Sequence, residues 1–497
     1  MPASRDPSLL LALDIGTSSV RTVLFDRNLQ RVRGSLAQSS YDLAHSADGG
    51  AEMNSADLLR GLLECLDRTL SKAGRRQVAA VGVACFWHSL LGVDSRGRPL
   101  TPIYTWADSR CKDDAARLRA EMREADYHRR TGCMLRASYW PAKLRWLART
   151  RRGVFRRVVR WQSPSDWLQA QFCQEGGGQT AHGMATGTGL YDPNALGWDA
   201  NLLSVCGVEA GQLPAITTAP LELQTAFVRR YPALAGARWW PAIGDGAASN
   251  LGSGATRPGV AAINVGTSAA LRVVRTGGEA RAPFGLFCYR IDPRRCLIGG
   301  AVSNAGNLRA WCLRELKLPD EAKALDRALA ERPGPSGQLV VLPFWSAERA
   351  PTWCEDLGGV VQGLTHGTTA LDLLQATTEG VYHRLALIAD LIAGDSGSGK
   401  TDADLTILVS GGVLKSAGLT QRLADVLGRP VYRCAEPEAS VRGAALYAAE
   451  MEGWRSPEDS EPLAEGRAIR PRATPARGYA RERQRQQTLE KQLTESS

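Results

Sequence analysis

Apolar residues near the start of the chain form a run that ends in a polar turn and then alternate with polar residues. The segment LLLALDIGTSSVRTVLFD is apolar at 9–13, continues through Asp14 and a Gly-Thr-Ser-Ser turn, and then alternates. This pattern predicts a β-hairpin. Thr17 and Ser18 lie at its tip, where backbone amides and hydroxyl groups suit a phosphate, although a plain turn is an equal alternative on these residues alone. Asp14, at the strand end, could hold a magnesium ion directly or through water.

The same pattern occurs again in the second half of the chain. The segment GVAAINVGTSAALRVV (259–274) predicts a strand, a tip containing Gly266, Thr267 and Ser268, and a second strand. Gly16 and Gly266 are 250 positions apart, which indicates an internal repeat on the scale of a domain. Two such hairpins facing each other across a cleft would hold the phosphates of a nucleotide from both sides.

Two further strand ends carry residues that suit a ligand. In WWPAIGDGAASN a short apolar run ends in Gly244-Asp245-Gly246, and a segment compatible with a helix follows. Asp245 is therefore sterically open to a ligand, or it caps the helix, and both can hold. In LTILVSGGVLK a strand ends in Gly411-Gly412 before an amphipathic helix. Paired glycines let a flat ring or a ribose approach the backbone, and a tight turn without a ligand is equally compatible.

The stretch GDSGSGKT, 394–401, matches the P-loop pattern GxxxxGK[ST]. A P-loop needs a buried strand before it and a helix after it. The preceding residues have helical apolar spacing, and LTILV, which follows, is a short β run. We therefore interpret the stretch as a surface loop between helix and strand, for which replacing Lys400 would have no effect on activity.

Length and composition indicate a globular protein of two domains. The chain has 497 residues, 44% of them hydrophobic and 23% charged, which suggests domains of roughly 200–250 residues each. No apolar run reaches the length of a membrane span, and the N-terminus lacks a signal-peptide pattern. The eleven cysteines are scattered without a C-x-x-C pair. We expect a cytoplasmic protein with reduced thiols and no membrane partner.

The net charge of +10 has two interpretations. The densest basic stretch, RTRRGVFRRVVR (149–160), has few aromatic residues and matches no nucleic-acid-binding motif. We favour a solvated helix face and expect no nucleic-acid partner. A basic enzyme that binds anionic substrates is equally compatible with this charge.

In their order and wording these motifs resemble those of the FGGY carbohydrate kinases, a family of the sugar-kinase/actin/heat-shock ATPase superfamily. The resemblance runs from about residue 9 to about residue 450. It implies an α/β fold of two actin-like (ribonuclease H-like) domains, each with a mixed five-stranded sheet flanked by helices, around a deep cleft. We place an N-terminal domain at 1–250, a C-terminal domain at 251–455 and a basic, Gln-rich tail at 456–497. The tail could be a helix packed on the core or a solvated extension.

The resemblance assigns roles to the motif residues. Asp245 matches the general base that accepts the proton of the substrate hydroxyl, and Asp14 would position Mg²⁺. The remaining residues of this set would bind ATP: Thr17, Ser18, Gly266 and Thr267 at the phosphates, Arg21 at the γ-phosphate, Gly411 and Gly412 at the adenosine, and Asn304 beside the nucleotide. In the second family signature Thr378 stands where relatives prefer a larger apolar residue.

The first domain resembles relatives in its sugar-recognition segments. His88, in FWHS, matches the histidine that faces the sugar, and YTWADSR matches the segment that reaches the polyol through Trp106, Asp108 and Arg110. An arginine can bind a carboxylate with two hydrogen bonds. The alternative is that Asp108 and Arg110 form a local ion pair.

Four segments are most similar in sequence to the gluconokinase branch, namely TWADSR, RTGCML, ATGTGLYDPNALGWD and SAERAPTW. Gluconate is an anion, for which Arg110 is the leading partner and Arg136 a weaker one. FWH and GDGAASN differ from the usual sequences of this branch, and the identity of the polyol therefore stays open.

We predict a kinase that phosphorylates D-gluconate to 6-phosphogluconate with ATP and Mg²⁺. The alternatives are a kinase for xylulose, ribulose or glycerol, and a sugar-sensing protein without turnover. A homodimer is compatible with the sequence.

Overall fold

The computed structural model describes residues 8–174, 178–319, 321–332, 334–395 and 405–495. The strands of the described part are β1 (Leu9–Ile15), β2 (Ser19–Phe25), β3 (Ala37–Ser40), β4 (Ala44–His45), β5 (Ala51–Met53), β6 (Val78–Cys85), β7 (Leu91–Val93), β8 (Ile103–Tyr104), β9 (Arg160–Gln162), β10 (Gln179–Thr180), β11 (Tyr191–Asp192), β12 (Gly197–Trp198), β13 (Ala215–Ile216), β14 (Leu221–Glu222), β15 (Arg238–Trp239), β16 (Ile243–Gly244), β17 (Val260–Val265), β18 (Ala269–Thr276), β19 (Phe287–Arg290), β20 (Arg295–Val302), β21 (Val340–Leu342), β22 (Val360–Gln362), β23 (Thr406–Gly411), β24 (Val431–Cys434) and β25 (Ala464–Ile469).

The helices of the same residues are α1 (Ser55–Leu70), α2 (Lys112–Glu121), α3 (Glu124–Thr131), α4 (Trp140–Thr150), α5 (Arg152–Phe155), α6 (Pro164–Phe172), α7 (His182–Ala185), α8 (Ala200–Cys206), α9 (Thr225–Arg230), α10 (Asp245–Ser253), α11 (Gly306–Glu315), α12 (Ala322–Ala330), α13 (Ala370–Gly394), α14 (Ala417–Leu427), α15 (Ala439–Met451) and α16 (Ala473–Glu495). None of the helices in these ranges is long and apolar enough to cross a membrane.

The two halves of the chain build two large mixed sheets with the same strand order. In the first sheet β3, β2, β1 and β6 lie side by side, and β15 and β16 pair in turn with the far edge of β6. In the second sheet β20, β18, β17, β23 and β24 take the corresponding places. The expected α/β fold and the internal repeat are confirmed. Each sheet has seven strands rather than the five expected, because short strands such as β14, β19 and β25 extend the edges.

Both predicted hairpins form, and burial explains their apolar runs. β1 pairs antiparallel with β2 and parallel with β6, and all of its residues are buried. A central strand covered on both faces reads as a continuous apolar run instead of an alternation. In the second half β17 makes the equivalent pairs with β18 and β23.

The two halves meet where α10 and α15 pack against each other almost backbone to backbone. A Cβ atom at Gly443 would lie 1.8 Å from the carbonyl oxygen of Ala248, and one at Gly252 would lie 1.8 Å from that of Ala439. α15 also packs on β1 and β6, where a Cβ at Gly82 would meet the carbonyl oxygen of Ala444 at 2.0 Å. This helix from the second half of the chain therefore completes the core of the first half.

The surroundings of the GDSGSGKT stretch are those of a connecting loop. The helix α13 ends at Gly394, the first residue of the stretch, and the strand β23 begins at Thr406, a few residues after its last residue, Thr401. This order is the reverse of the strand and helix that a P-loop requires. Residues 396–404, which include Lys400, lie outside the described residues.

Two surface predictions have different outcomes. The basic stretch 149–160 is largely exposed, but it is not one helix face, because it contains the end of α4, the four-residue α5 and the start of β9. In the tail, α16 packs against α13 and α14 and buries Tyr479 completely. The tail is therefore a packed helix and not a solvated extension.

The cysteines are unpaired, as predicted. All eleven are free, and all except Cys354 are buried. The ten buried cysteines serve as small apolar core residues.

The Gly443→Ala variant tests the contact between α10 and α15. The added methyl group would push the two helix backbones apart, which costs about 2 kcal/mol of unfolding free energy or more. Thermal and denaturant unfolding measure this loss. The control is Gly153→Ala in α5, where a Cβ meets no atom within 4 Å and where alanine is neutral or slightly stabilising. Equal stability of the two variants would refute the contact.

Candidate active site

Two cavities lie side by side and share the tip of the second hairpin. The larger has a volume of about 530 Å³ and is lined by Gly266 and Thr267. The smaller has a volume of about 190 Å³ and is lined by Ser268 and Asp245. Consecutive residues of one turn therefore face a cavity that suits a drug-sized ligand and one that suits a smaller molecule.

The larger cavity contains most of the predicted second-half nucleotide residues. Gly266, Thr267 and Gly412 line it, and Gly411 adjoins it at the end of β23. Gly411 has φ of +93°, which favours glycine, and a Cβ there would lie 2.4 Å from the carbonyl oxygen of Val265. The glycine pair thus permits a close turn beside an apolar wall that includes Val413.

Asn304 is placed differently from the prediction. Its Nδ2 donates to the Ser346 carbonyl oxygen (2.8 Å), and its Oδ1 accepts from the Ser346 amide (3.0 Å). Both polar atoms of its side chain are used to anchor a loop, and it does not line the larger cavity. Sequence reasoning missed Arg309 and Tyr382, which do line it. Thr378, where the sequence departs from the family pattern, is also a lining residue.

Asp245 lies in the smaller cavity as the first residue of α10. Burial raises the pKa of its carboxyl group, while the charge of Arg272 opposes this shift. Its Oδ1 accepts a hydrogen bond from the Gly246 amide (2.7 Å). The predicted capping role is not found, because Gly244 is the N-cap residue and no side chain caps the helix, whereas Asp245 does face a cavity. Thr17 lines the same cavity, and its Oγ1 accepts from Trp106 Nε1 (3.0 Å). Ser18 is exposed at the hairpin tip.

His88 presents a defined hydrogen-bonding atom to the smaller cavity. Its Nδ1 lies 2.6 Å from the carbonyl oxygen of Gly187. Because a carbonyl oxygen only accepts, Nδ1 carries the proton and Nε2 is left as an acceptor. Burial lowers the pKa of the imidazole to about 3, so the ring is neutral at neutral pH. A φ of +66° shows that the backbone is strained to hold this orientation.

Three glycines accommodate Trp87 in the wall of this cavity. A Cβ atom would lie 1.7 Å from the Trp87 ring at Gly244, 2.3 Å at Gly187 and 2.9 Å at Gly246. The indole Nε1 donates to the Gly183 carbonyl oxygen (2.7 Å). The glycines beside Asp245 therefore make room for an indole ring, rather than for a ligand as the sequence suggested. The sequence signal was present, since FWH differs from the usual motif at this residue.

Two arginines that sequence reasoning did not select line the same cavity. Within the described ranges neither Arg272 nor Arg349 has a carboxylate oxygen within 4 Å. Arg272 Nε is buried without a hydrogen-bond partner, and burial lowers the pKa of both guanidinium groups. Arg349 donates only to neutral oxygens, Ser303 Oγ and the Val302 carbonyl, each at 3.2 Å. Both groups therefore hold charge that a ligand can neutralise.

Aromatic rings form the remaining wall. Trp353 and Tyr289 line the cavity together with Tyr139, whose hydroxyl lies 2.7 Å from that of Tyr289. Arg349 and Trp353 belong to SAERAPTW, a segment that resembles the gluconokinase branch, and Tyr139 directly precedes α4. No sequence signal marked these residues individually.

Asp108 and Arg110 are a correction to the predicted sugar site. Neither lines the smaller cavity. Arg110 Nε donates to Asp108 Oδ1 (3.1 Å), and its Nη2 donates to Glu52 Oε1 (2.6 Å). Hydrogen bonds to these two carboxylates raise the pKa of Arg110. The alternative of a local ion pair therefore describes them.

Arg136, the weaker candidate, is also committed elsewhere. Its guanidinium group is buried and paired with Glu124 and Glu355, and it does not line the smaller cavity. Neither predicted carboxylate partner thus has free charge at the cavity.

Asp14 and Arg21 are paired across the first hairpin close to its tip. Burial and the nearby charge of Asp245 raise the pKa of Asp14 to about 7, and Arg21 opposes this shift. Arg21 Nη1 is 3.7 Å from Asp14 Oδ2 and 2.9 Å from Glu438 Oε2. Because two carboxylates already neutralise Arg21, its contact with a γ-phosphate stays a prediction.

The carboxylates fit a magnesium ion that also contacts phosphate. The described residues contain no cluster of three or more histidine, cysteine or acidic side chains that could hold a metal. Magnesium is usually held by one or two carboxylates together with phosphate oxygens and water. Asp14 and Asp245 meet that requirement, and they lie close enough for the charge of Asp245 to raise the pKa of Asp14.

The larger and the smaller cavity meet at one glycine-containing turn, which leaves room for two ligands next to each other. The model for the N-terminal domain of the FGGY family of carbohydrate kinases matches residues 9–230, and the model for its C-terminal domain matches residues 261–451. These ranges cover more than half of the sequence, and the chain therefore belongs to the FGGY family of carbohydrate kinases, phosphotransferases that act on an alcohol group. The exact domain limits stay a prediction.

The named relatives act on different substrates. The chain is 25% identical to the gluconokinase of Bacillus subtilis over 464 residues, with 88% of this chain and 86% of the relative covered. It is 29% identical to a glycerol kinase of Rhizorhabdus wittichii, with coverage of 90% and 88%. The crystal structure of a gluconate kinase from Lactobacillus acidophilus aligns with a TM-score of 0.89, 25% identity and 98% of both chains, and a xylulose kinase from the same organism gives the same values.

The Arg110→Gln variant tests the ion pair. It leaves the Asp108 carboxylate buried with one partner fewer, so we expect a loss of about 3 kcal/mol in unfolding free energy and no selective rise in KM for the sugar. Arg98→Gln is the control, because Arg98 and Asp94 form an exposed pair worth little. Unchanged stability combined with weaker binding of a sugar acid would return Arg110 to the substrate site.

Proposed function

We propose that the enzyme transfers the γ-phosphate of ATP to the terminal hydroxyl of D-gluconate and yields 6-phosphogluconate. The observation that supports this substrate is the placement of Arg272 and Arg349, without carboxylate partners, in the same small cavity as Asp245. A six-carbon polyol with one carboxylate would satisfy both features. Its hydroxyl end would face Asp245, beside which Arg272 lies, and its anionic end would face the guanidinium group of Arg349.

The neighbouring side chains suit the rest of such a molecule. The acceptor Nε2 of His88 would take a hydrogen bond from a hydroxyl, and the indole of Trp106 would cover an apolar face of the carbon chain. Arg349 lies 5.3 Å from the centroid of the Trp106 ring, so the cation and the indole form one surface.

Asp245 would act as the general base. Phosphoryl transfer depends mainly on positioning and charge neutralisation, so one carboxylate at the accepting hydroxyl is sufficient. Arg272 beside it favours the ionised carboxylate against the effect of burial. Closure of the cleft would exclude water and limit wasteful hydrolysis of ATP.

ATP would occupy the larger cavity, with its phosphates at Thr267 and Gly266 and its base against the apolar wall near Val413. Asp14 would hold Mg²⁺, which neutralises phosphate charge when bound. Thr17 and Ser18 of the first hairpin would contact the phosphates from the opposite side of the cleft.

A substrate panel tests reaction and substrate together. ATP-dependent release of ADP is measured with gluconate, xylulose, ribulose, glycerol and no sugar. We expect strong turnover with gluconate only. In Asp245→Asn the turnover rate should fall by about 100-fold or more with unchanged folding, because the base is absent. Turnover of another polyol would overturn the substrate and keep the reaction. Absence of turnover with every polyol would favour the sugar-sensing alternative.

The Arg349→Gln variant tests recognition of the carboxylate. A charge-assisted hydrogen bond contributes about 1.5–3 kcal/mol, so kcat/KM for gluconate should fall by roughly 10- to 100-fold. Inhibition by glucitol, the uncharged counterpart, should change little. Arg281→Gln removes the same charge at an exposed position and serves as the control. An equal loss for both ligands would contradict carboxylate recognition.

A further inference from the structure

The C-terminal helix α16 lies beyond the range that the family model matches, which ends at residue 451. One face of the helix is buried, although its sequence is rich in arginine and glutamine. The buried side chains recur at helical spacing and are Tyr479, Glu482, Gln486, Leu489 and Glu490. A polar helix with a buried face needs specific partners for its polar groups.

Glu490 has such partners on two different elements. Its Oε2 accepts from Arg384 Nη1 of α13 (2.6 Å), and its Oε1 accepts from the hydroxyl of Thr352. Arg384 Nη2 in turn donates to Thr352 Oγ1 (2.6 Å). Thr352 is itself exposed, but its hydroxyl closes a triangle with two buried charged groups.

Thr352 belongs to the loop 346–354, which also builds the smaller cavity. Arg349 and Trp353, on either side of it, line that cavity. The loop is fixed at several further points, since Asn304 holds Ser346 and the Ala350 amide donates to the Ala301 carbonyl oxygen (3.1 Å). The triangle is the contact that ties Thr352, between the two cavity residues, to α16 and α13.

The buried charges make this contact depend on Glu490. The side chain of Arg384 has no exposed surface, and its only other acidic neighbour in the described residues is Glu348, at 3.6 Å from Nε. Glu348 is buried and neither of its oxygens accepts a hydrogen bond. If Glu490 lost its charge, Arg384 would be drawn towards Glu348 and away from Thr352, and the hydrogen bond between Thr352 and residue 490 would weaken.

We propose that Glu490 is a positioning residue for the sugar site. Through Thr352 and Arg384, α16 sets the placement of Arg349 and Trp353, and so a segment outside the family match controls the affinity for the polyol. The inference rests on the proposed function only in taking the smaller cavity as the sugar site.

The test compares three variants of the full chain. Glu490→Gln keeps the shape of the side chain and removes its charge, and Thr352→Val removes the hydroxyl. Tyr479→Phe is the matched control on the same helix. Its hydroxyl bonds Glu379 (2.9 Å) and Arg422 (2.8 Å) and has no link to the loop.

The first readout needs no ligand. Hydrogen exchange at the amides of Ala350 and Trp353 should accelerate in Glu490→Gln and Thr352→Val and stay unchanged in Tyr479→Phe. Because it is measured without substrate, its outcome is independent of the proposed substrate.

The second readout uses the polyol that the wild-type enzyme prefers in the panel. KM for that polyol should rise roughly 10-fold in Glu490→Gln, because a displacement of about 1 Å at a binding group has such effects, while KM for ATP stays the same. The rise in KM in the double variant should be no greater than that in the more strongly affected single variant, since both changes act through one contact. Unchanged exchange, an unchanged KM for the polyol, or an equal rise in KM for ATP would each overturn the proposal.

Discussion

The backbone contact between α10 and α15 is the constraint on which the cleft depends. Asp245 is the first residue of α10, so its place follows from where that helix packs. Glu438 directly precedes α15 and holds Arg21, which in turn faces Asp14. One helix crossing thus fixes Asp14 and Asp245 relative to each other. Because glycines form the contact, no larger side chain fits without separating the helices.

The positions of the arginines show how one protein uses the same side chain for structure and for binding. Arg110 and Arg136 have carboxylate partners and hold neighbouring segments together. Among the described residues, Arg272 and Arg349 have none within 4 Å and keep part of their charge available to the cavity. A buried cation without a partner is costly, and the surrounding structure has to stabilise it. A bound anion would remove that cost, so such a site favours anionic ligands over neutral ones.

Much of the fold and part of the site follow from the sequence. The two hairpins were predictable because central strands and glycine turns leave strong local patterns, and Asp245 because its motif is short and contiguous. The smaller cavity was not, since Trp87, Tyr139, Arg272 and Arg349 come from segments far apart in the chain. Whether an arginine is paired depends on tertiary contacts, so Arg110 and Arg349 are indistinguishable in the sequence. The tail remained ambiguous for the same reason, because its buried face is polar.

The distribution of thiols gives the protein an intrinsic reporter group. Cys354 is the one cysteine that is not buried, and it directly follows Trp353, which lines the smaller cavity. Partial burial of its thiol raises the pKa of that group. Modification of the native protein is therefore slow, but it is directed to this residue. A thiol reagent or a fluorescent label would therefore attach next to Trp353 without any engineered cysteine. Because Cys354 packs against the cluster that contains Leu489 of α16, the rate of its attachment would measure how tightly α16 holds this segment.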